Sequence, residues 1–317
     1  MKICVMHSAS IGDTLLATPV YRAIKQRYPQ SKLIAVVSYT GRELLQGNPY
    51  IDELVAYRKG DSVLRIIKLI WRADAAVILD YHYRSALYAF LAMISKRIGR
   101  GKDFINIQVS DEAPLEYEPF KYLRLLKKLD IDNDNIQLTG IVANDSDKKH
   151  VKNLLSSYGL EGKRYVVIVP YSLSSLKDWE PEKYREIIKR LTAAGYKVVA
   201  LGGKDEQERI KKEFPNIISF AGVTNLRESA EIITQAKAQL CGCTAMLHVC
   251  STTQTPVVAI YGPSKPEQWA PKHNCVIVTH EFECSPCCNT DIICQKNNGC
   301  ISEITVDEVY TELQKFL

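Results

Sequence analysis

At 317 residues the chain is about twice the usual domain length, so two domains of roughly 150 residues are expected, each able to bury its own core. Hydrophobic residues make up 46% and charged residues 24%, which excludes a disordered chain, and the longest apolar run, Ala86 to Ile94, falls far short of the ~20 residues of a membrane helix. The formal charge of +5 comes from residues 1–150, where 22 Lys/Arg face 17 Asp/Glu, against 19 and 19 in residues 151–317; the first half should meet the more anionic partner, and no nucleic acid is expected.

The opening, Met1 to Pro19, has one Lys and no sustained apolar core, so it does not read as a targeting segment, and a cytoplasmic protein is expected. Lys2 to Met6 reads as a strand, Thr14 to Tyr28 as a helix and Lys32 to Val37 as a β-branched strand. Val63, Ile66, Ile67 and Ile70 share one helical face, with Arg65, Lys68 and Arg72 on another. Ala75 to Leu79 is a buried-type strand followed by a helix from about Arg84 to Ile94. The polar stretch Asn144 to Lys149 reads as a linker, which divides the chain into domains 1–150 and 151–317.

A second series repeats the pattern with strand Tyr165 to Val169, helix Pro181 to Ala194, strand Lys197 to Leu201, helix Leu226 to Ala236 and strand Pro256 to Tyr261. Thr305 and Glu308 form a capping-box signature ahead of Val309, Leu313 and Leu317, predicting a terminal helix. Strand–helix alternation of this kind predicts an α/β architecture of doubly wound parallel sheets, whose ligands bind outside the carboxyl ends of the strands.

The loop His7-Ser8-Ala9-Ser10-Ile11-Gly12-Asp13 follows the first strand and leads into Thr18-Pro19. With Gly47-Asn48-Pro49, Asp80 to Ser85, Lys177-Asp178-Trp179, Leu201-Gly202-Gly203, Gly222 to Leu226, His248 and Tyr261-Gly262-Pro263, all in order, the chain resembles glycosyltransferase family 9, the lipopolysaccharide heptosyltransferases. The resemblance implies two Rossmann-like domains facing a cleft (GT-B type), the first binding acceptor and the second binding nucleotide sugar. It further implies an inverting transfer of heptose from ADP-heptose to a lipopolysaccharide core or related surface glycan, with no cofactor required for catalysis.

Read locally, Asp13 is either a helix N-cap or a carboxylate able to take the proton of an attacking hydroxyl. The resemblance makes it the catalytic base. By the same correspondence Lys177 binds the leaving diphosphate, Asp205 or Glu206 meets the ribose, and Thr244, Ala245 and His248 belong to the donor site at a helix opening. Cys243 and Ala245 stand where the family carries Asp and Gly, so a different nucleotide sugar is the alternative donor.

Arg58, Lys59 and Arg65 on the basic amphipathic stretch suit an anionic acceptor, with peripheral contact at an anionic inner membrane; Lys96, Arg97, Arg100 and Lys102 form a second basic cluster. Among ten cysteines, Cys284, Cys287, Cys288, Cys294 and Cys300 are clustered, and Cys284, Cys287, Cys294 and Cys300 are candidate ligands of a structural zinc, with an iron–sulfur site, free thiols or a disulfide as alternatives. Cys4, Cys241, Cys250 and Cys275 read as core. Two other function classes fit tandem strand–helix units. One is a non-catalytic sugar- or metal-binding protein; the other, a nicotinamide-dependent oxidoreductase, lacks support because Ser10-Ile11-Gly12-Asp13 replaces a G-x-G-x-x-G turn.

Overall fold

The computed structural model describes residues 1–317 except 8–9, 59, 111–114, 163, 288–293 and 295–297. The chain forms two units, Met1–Val142 and Ala143–Leu317.

In the first unit the order is β1 (Lys2–His7), α1 (Ile11–Leu16), α2 (Thr18–Arg27), β2 (Lys32–Val37), α3 (Tyr39–Leu45), β3 (Glu53–Ala56), α4 (Val63–Ile70), β4 (Ala75–Ile78), α5 (Tyr83–Leu91), β5 (Lys96–Gly99), β6 (Ile107–Gln108) and α6 (Glu118–Leu125). Among the described residues the strands form one sheet in the order β3-β2-β1-β4-β5-β6, with every adjacent pair parallel. Met6 of β1 pairs with Val36 on one side and Ile78 on the other, and all three side chains are buried. Strands covered on both faces need continuous apolar runs, which is why these segments do not alternate.

The single helix expected over Thr14 to Tyr28 is two helices that meet at Ala17. Pro19 has no N–H to extend the first helix but fits the first turn of the second, and the Thr18 hydroxyl donates back to the Leu15 carbonyl at 2.7 Å.

The second unit runs α7 (Asp145–Ser157), β7 (Tyr165–Val169), α8 (Pro181–Ala193), β8 (Lys197–Ala200), α9 (Gln207–Glu213), β9 (Ile218–Ser219), α10 (Leu226–Gln235), β10 (Ala238–Gly242), α11 (Ala245–Ser251), β11 (Val257–Tyr261), α12 (Pro266–Trp269), β12 (Cys275–Thr279), α13 (Gly299–Ser302) and α14 (Val306–Gln314). Its described strands are ordered β12-β11-β10-β7-β8-β9, so both sheets reverse direction beside their first strand, between β1 and β4 and between β7 and β10. Open sheets place ligands at such switch points. The expected terminal capping box is present, with Thr305 and Glu308 bonding each other's backbone N–H.

The expected linker Asn144 to Lys149 is instead the start of α7, and the division falls at Val142/Ala143 rather than near residue 150. The polar residues are there to cap and to pair. Asn144 caps the Asp147 N–H at 2.9 Å, and the Asp147 carboxylate accepts from Asn144 N (3.0 Å), Arg227 Nε (2.7 Å) and Asn225 Nδ2 (3.2 Å), tying α7 to the start of α10.

Burial works to raise the Asp147 pKa, but the bonds from Arg227, Asn144 and Asn225 outweigh it and hold the carboxyl below its ordinary range. A folded-state pKa below the unfolded value gives stability that is complete above the unfolded value and is lost as pH falls through the folded one. Asp147→Ala should therefore lower unfolding free energy by about 2–4 kcal/mol at pH 7, with the gap to wild type narrowing below about pH 4. Denaturant titrations of both proteins at the two pH values measure this, and equal stability at pH 7 would show that the cluster contributes nothing.

Candidate functional site

In the first unit, the ends of β1, β4 and β5 carry a set of charged and aromatic side chains. Ser10, not Asp13, caps α1. Asp13 lies in the first turn, where its carboxylate accepts from Ser10 Oγ at 2.7 Å, so the cap reading of Asp13 is set aside and the half-buried carboxylate is left at the mouth of the β1 loop. Burial raises its pKa above the ordinary carboxylate value, the bond from Ser10 opposes this, and the Glu118 charge adds to it.

Glu118 itself is buried on α6 and bound by two cations, Arg100 Nη2 at 2.8 Å and Lys121 Nζ at 3.5 Å. The Arg100 guanidinium also donates to the Leu79 carbonyl at 3.1 Å and lies over the rings of Tyr81 and Tyr122, 4.6 and 5.3 Å from their centroids. His7, 2% exposed, packs edge-on against Tyr122. Burial, then the Arg100 and His82 charges, push it down to about 3, so it is neutral at physiological pH, and its buried Nδ1 has no hydrogen-bond partner among the described residues. Asp80 has a local role, accepting from His82 N and Ser85 Oγ at 3.0 Å each at the opening of α5.

Glu118, Lys121 and Tyr122 were not legible as site residues. Their helix is short, and buried charges carry no sequence signal apart from the Glu118–Lys121 spacing of three, which on an exposed helix is an ordinary surface pair.

Arg58 and Arg65 do not join this group in the contacts of the first unit. They border a groove of about 580 Å³ at the free edge of β3, lined by Tyr39, Arg42, Arg65 and Lys68, with Arg58 5.2 Å above the Tyr39 ring. Lys59 lies outside the described residues.

In the second unit, Lys177 closes a short turn after β7 whose backbone presses on the end of β10. A Cβ at Gly242 would stand 3.0 Å from the Lys177 carbonyl oxygen, so the approach requires glycine. Thr244 caps α11 without a side-chain bond, and its Oγ1 is buried and unpartnered. One turn on, His248 is buried with Nδ1 unpartnered; burial and then the charge of Lys177 push it down to about 4. Lys177, Thr244, Ala245 and His248 are thus brought to one strand end. Tyr261 is buried here too, its hydroxyl beside the Cys243 thiol, a neighbour the sequence motif did not reveal.

Asp205 and Glu206 sit in the loop after β8. Glu206 Oε2 accepts from Gly203 N at 2.7 Å, while Asp205 is exposed. The loop is packed from below by Gly222, whose φ of +68° and 3.0 Å approach to Lys204 Cα both call for glycine.

The structural zinc is not supported. Among the described residues, no group of three or more His, Cys, Asp or Glu side chains could hold a metal ion. Cys300 shows why: it is buried in the core of the second unit, while Cys287 is exposed. The four described thiols are close enough that Cys284, Cys287 and Cys294 add to the burial that pushes Cys300 up to about 11, but they do not converge. Cys288 lies outside the described residues. Cys4, Cys241 and Cys250 are core, and Cys275 is half-buried.

The pattern of glycosyltransferase family 9 (heptosyltransferase) matches residues 63–297. The chain is 26% identical over 305 residues to lipopolysaccharide heptosyltransferase 2 of Salmonella typhimurium, covering 84% of each. It superimposes on a glycosyltransferase family 9 structure from Veillonella parvula with TM-score 0.86 at 20% identity, covering 99% of this chain and 96% of that one. For the E. coli ADP-heptose lipopolysaccharide heptosyltransferase II structure the TM-score is 0.80 at 23% identity, with 100% and 98% covered. These likenesses establish the shared GT-B fold with its two parallel sheets, and the family match over most of the chain establishes that it belongs to glycosyltransferase family 9, the heptosyltransferases, and is a glycosyltransferase.

Proposed function

We propose that the enzyme transfers heptose from ADP-heptose, with inversion, to a lipopolysaccharide-core saccharide carried at the inner membrane, where the protein makes peripheral contact. The observation that carries this reading is the meeting of Lys177 with two unpartnered buried groups, Thr244 Oγ1 and His248 Nδ1, at the end of β10. The similarity to heptosyltransferases, among them the E. coli ADP-heptose lipopolysaccharide heptosyltransferase II, supports the sugar and the nucleotide.

In the proposed reaction an acceptor hydroxyl attacks the anomeric carbon as its proton passes to Asp13, and the bond from that carbon to the diphosphate oxygen breaks. Negative charge grows on the leaving diphosphate. Lys177 and N–H groups near Thr244 and Ala245 would meet it, and an exposed Asp205 suits the ribose hydroxyls better than Glu206, which holds the Gly203 N–H. His248, neutral at physiological pH, would serve as a hydrogen-bonding group and not as a charge. Arg58, Lys59 and Arg65 are the proposed acceptor contacts.

Asp13→Asn should lower turnover by about 10²–10⁴-fold with donor affinity nearly intact. Because the base works only when ionised and its pKa is raised, the acid limb of kcat/KM should lie above the ordinary carboxylate value of about 4. Glu118→Gln removes an anion and leaves Arg100 and Lys121 uncompensated, both of which favour ionised Asp13, so the limb should move to lower pH. A limb that stays fixed in Glu118→Gln, or full turnover in Asp13→Asn, removes Asp13 from the role of base.

Lys177→Ala should cost about 10²-fold in turnover and weaken nucleoside diphosphate binding. Titration with ADP and steady-state rates decide it; unchanged values for both sink the assignment.

The alternative donor rests on Cys243. A thiol accepts hydrogen bonds poorly, and losing a charge-assisted bond to a sugar hydroxyl shifts preference by roughly 10- to 100-fold. If the natural donor is a sugar that does not need that bond, Cys243→Asp should gain heptose use relative to wild type. Competition between nucleotide sugars measures this, and identical selectivity in both proteins shows that position 243 does not select the sugar.

A further inference from the structure

The outer side of α4 and the turn after α5 share one surface of mixed apolar and basic character. Trp71, Phe90, Leu91, Met93 and Phe104 are 40–57% exposed, a large apolar share for five neighbouring side chains. Their adjacency is fixed by contacts. Arg72 N donates to Ala92 O at 2.9 Å, which joins the turn at the end of α4 to the one at the end of α5. The Phe90 and Phe104 rings are 5.4 Å apart, Arg97 lies over Phe90 at 5.4 Å and donates to Phe104 O at 2.6 Å, and Lys2 Nζ donates to Trp71 O at 3.1 Å.

Along α4 the surface continues through Lys68 and Arg65 to exposed Leu64 and the basic groove at the β3 edge. The acid in that groove, Glu53, is bound by Lys32 at 2.7 Å, and on the other side Asp74 already accepts from Lys2 N. Arg65, Lys68, Arg72, Lys96 and Arg97 give this face its basic character. Apolar side chains ringed by cations match a bilayer interface with anionic headgroups, where each basic residue near the surface contributes about 1 kcal/mol.

We propose that this face, from the β3 groove along α4 to Trp71, Met93 and Phe104, docks the enzyme on an anionic phospholipid bilayer. Trp71, Leu91 and Met93 enter the interface, and Arg72, Lys96 and Arg97 meet phosphate. No helix among the described residues is long and apolar enough to cross a membrane, so the contact is peripheral. The inference rests on the reading that the acceptor is membrane-borne, but the contact is testable without the reaction.

The full chain should co-sediment with vesicles of phosphatidylcholine and phosphatidylglycerol, and only weakly with phosphatidylcholine alone or at high salt. Two surface double variants separate the contributions: Trp71→Ser with Met93→Asn, and Arg72→Asn with Lys96→Glu. Arg72 and Met93 have positive φ, which Asn tolerates, so both variants should fold. The apolar variant should bind about 10-fold less, and the charge variant about 10- to 30-fold less. Both should transfer sugar to a delipidated core saccharide at the wild-type rate.

Absence of binding to the anionic vesicles, or binding that both variants retain in full, overturns the proposal. So does a wild-type dimer that the variants dissociate, which would make the face an interface between copies. Vesicle binding without heptose transfer to the soluble saccharide would instead sink the functional reading and leave the docking face standing.

Discussion

The parallel ladder of each sheet imposes the constraint from which the sites follow. Strands β1, β4, β7 and β10 are buried on both faces, so they are apolar almost throughout, and polar chemistry can appear only where they end. Each sheet reverses beside its first strand, which leaves a crevice at the carboxyl ends of one strand pair in each unit. His7, Asp13 and Asp80 gather after β1 and β4; Lys177, Thr244 and His248 gather after β7 and β10. The same topology, used twice, therefore yields two sets of polar groups of different kinds.

The first set handles charge by burying it in balanced form. Glu118, Arg100 and Lys121 are each nearly inaccessible, and an unpaired member would cost several kcal/mol, so the three stand or fall together. Their combined field reaches Asp13, the half-exposed member of the neighbourhood. Burial and the Glu118 carboxylate raise its pKa, which makes it a stronger base than a surface aspartate while Ser10 holds its orientation. The two buried histidines follow the opposite rule. Burial and a nearby cation disfavour the imidazolium in both, so neither His7 nor His248 changes charge near neutral pH.

Legibility in the sequence followed from how each element is stabilised. The long apolar strands and the amphipathic α8 and α10 were readable because their own residues carry the pattern. β6 and β9, two residues each, exist by pairing with a neighbour and leave no local signal. Asn144 to Lys149 misled because capping residues and linker residues are the same residue types, and only the partner Arg227, far along the chain, tells them apart. Motif order singled out Asp13, Lys177 and His248 as candidates. It could not give Glu118 or Lys121, whose significance lies in being buried, nor that the described cysteines form no metal-holding group, because spacing in sequence does not say which way a thiol faces.

The second unit carries two departures from the family pattern, Cys243 and Ala245, and the surroundings of Cys243 bear on the first of them. Cys243 follows the glycine at the end of β10, and the buried Tyr261 hydroxyl lies beside its thiol, whose contact adds to burial in raising the tyrosine pKa. A carboxylate at 243 would be an ionised acceptor, and the tyrosine hydroxyl beside it would be drawn into a strong bond with it. A thiol is a weak acceptor, so with cysteine the tie to that hydroxyl is a weak one. The substitution therefore exchanges a charge-assisted acceptor for a weak one at this strand end.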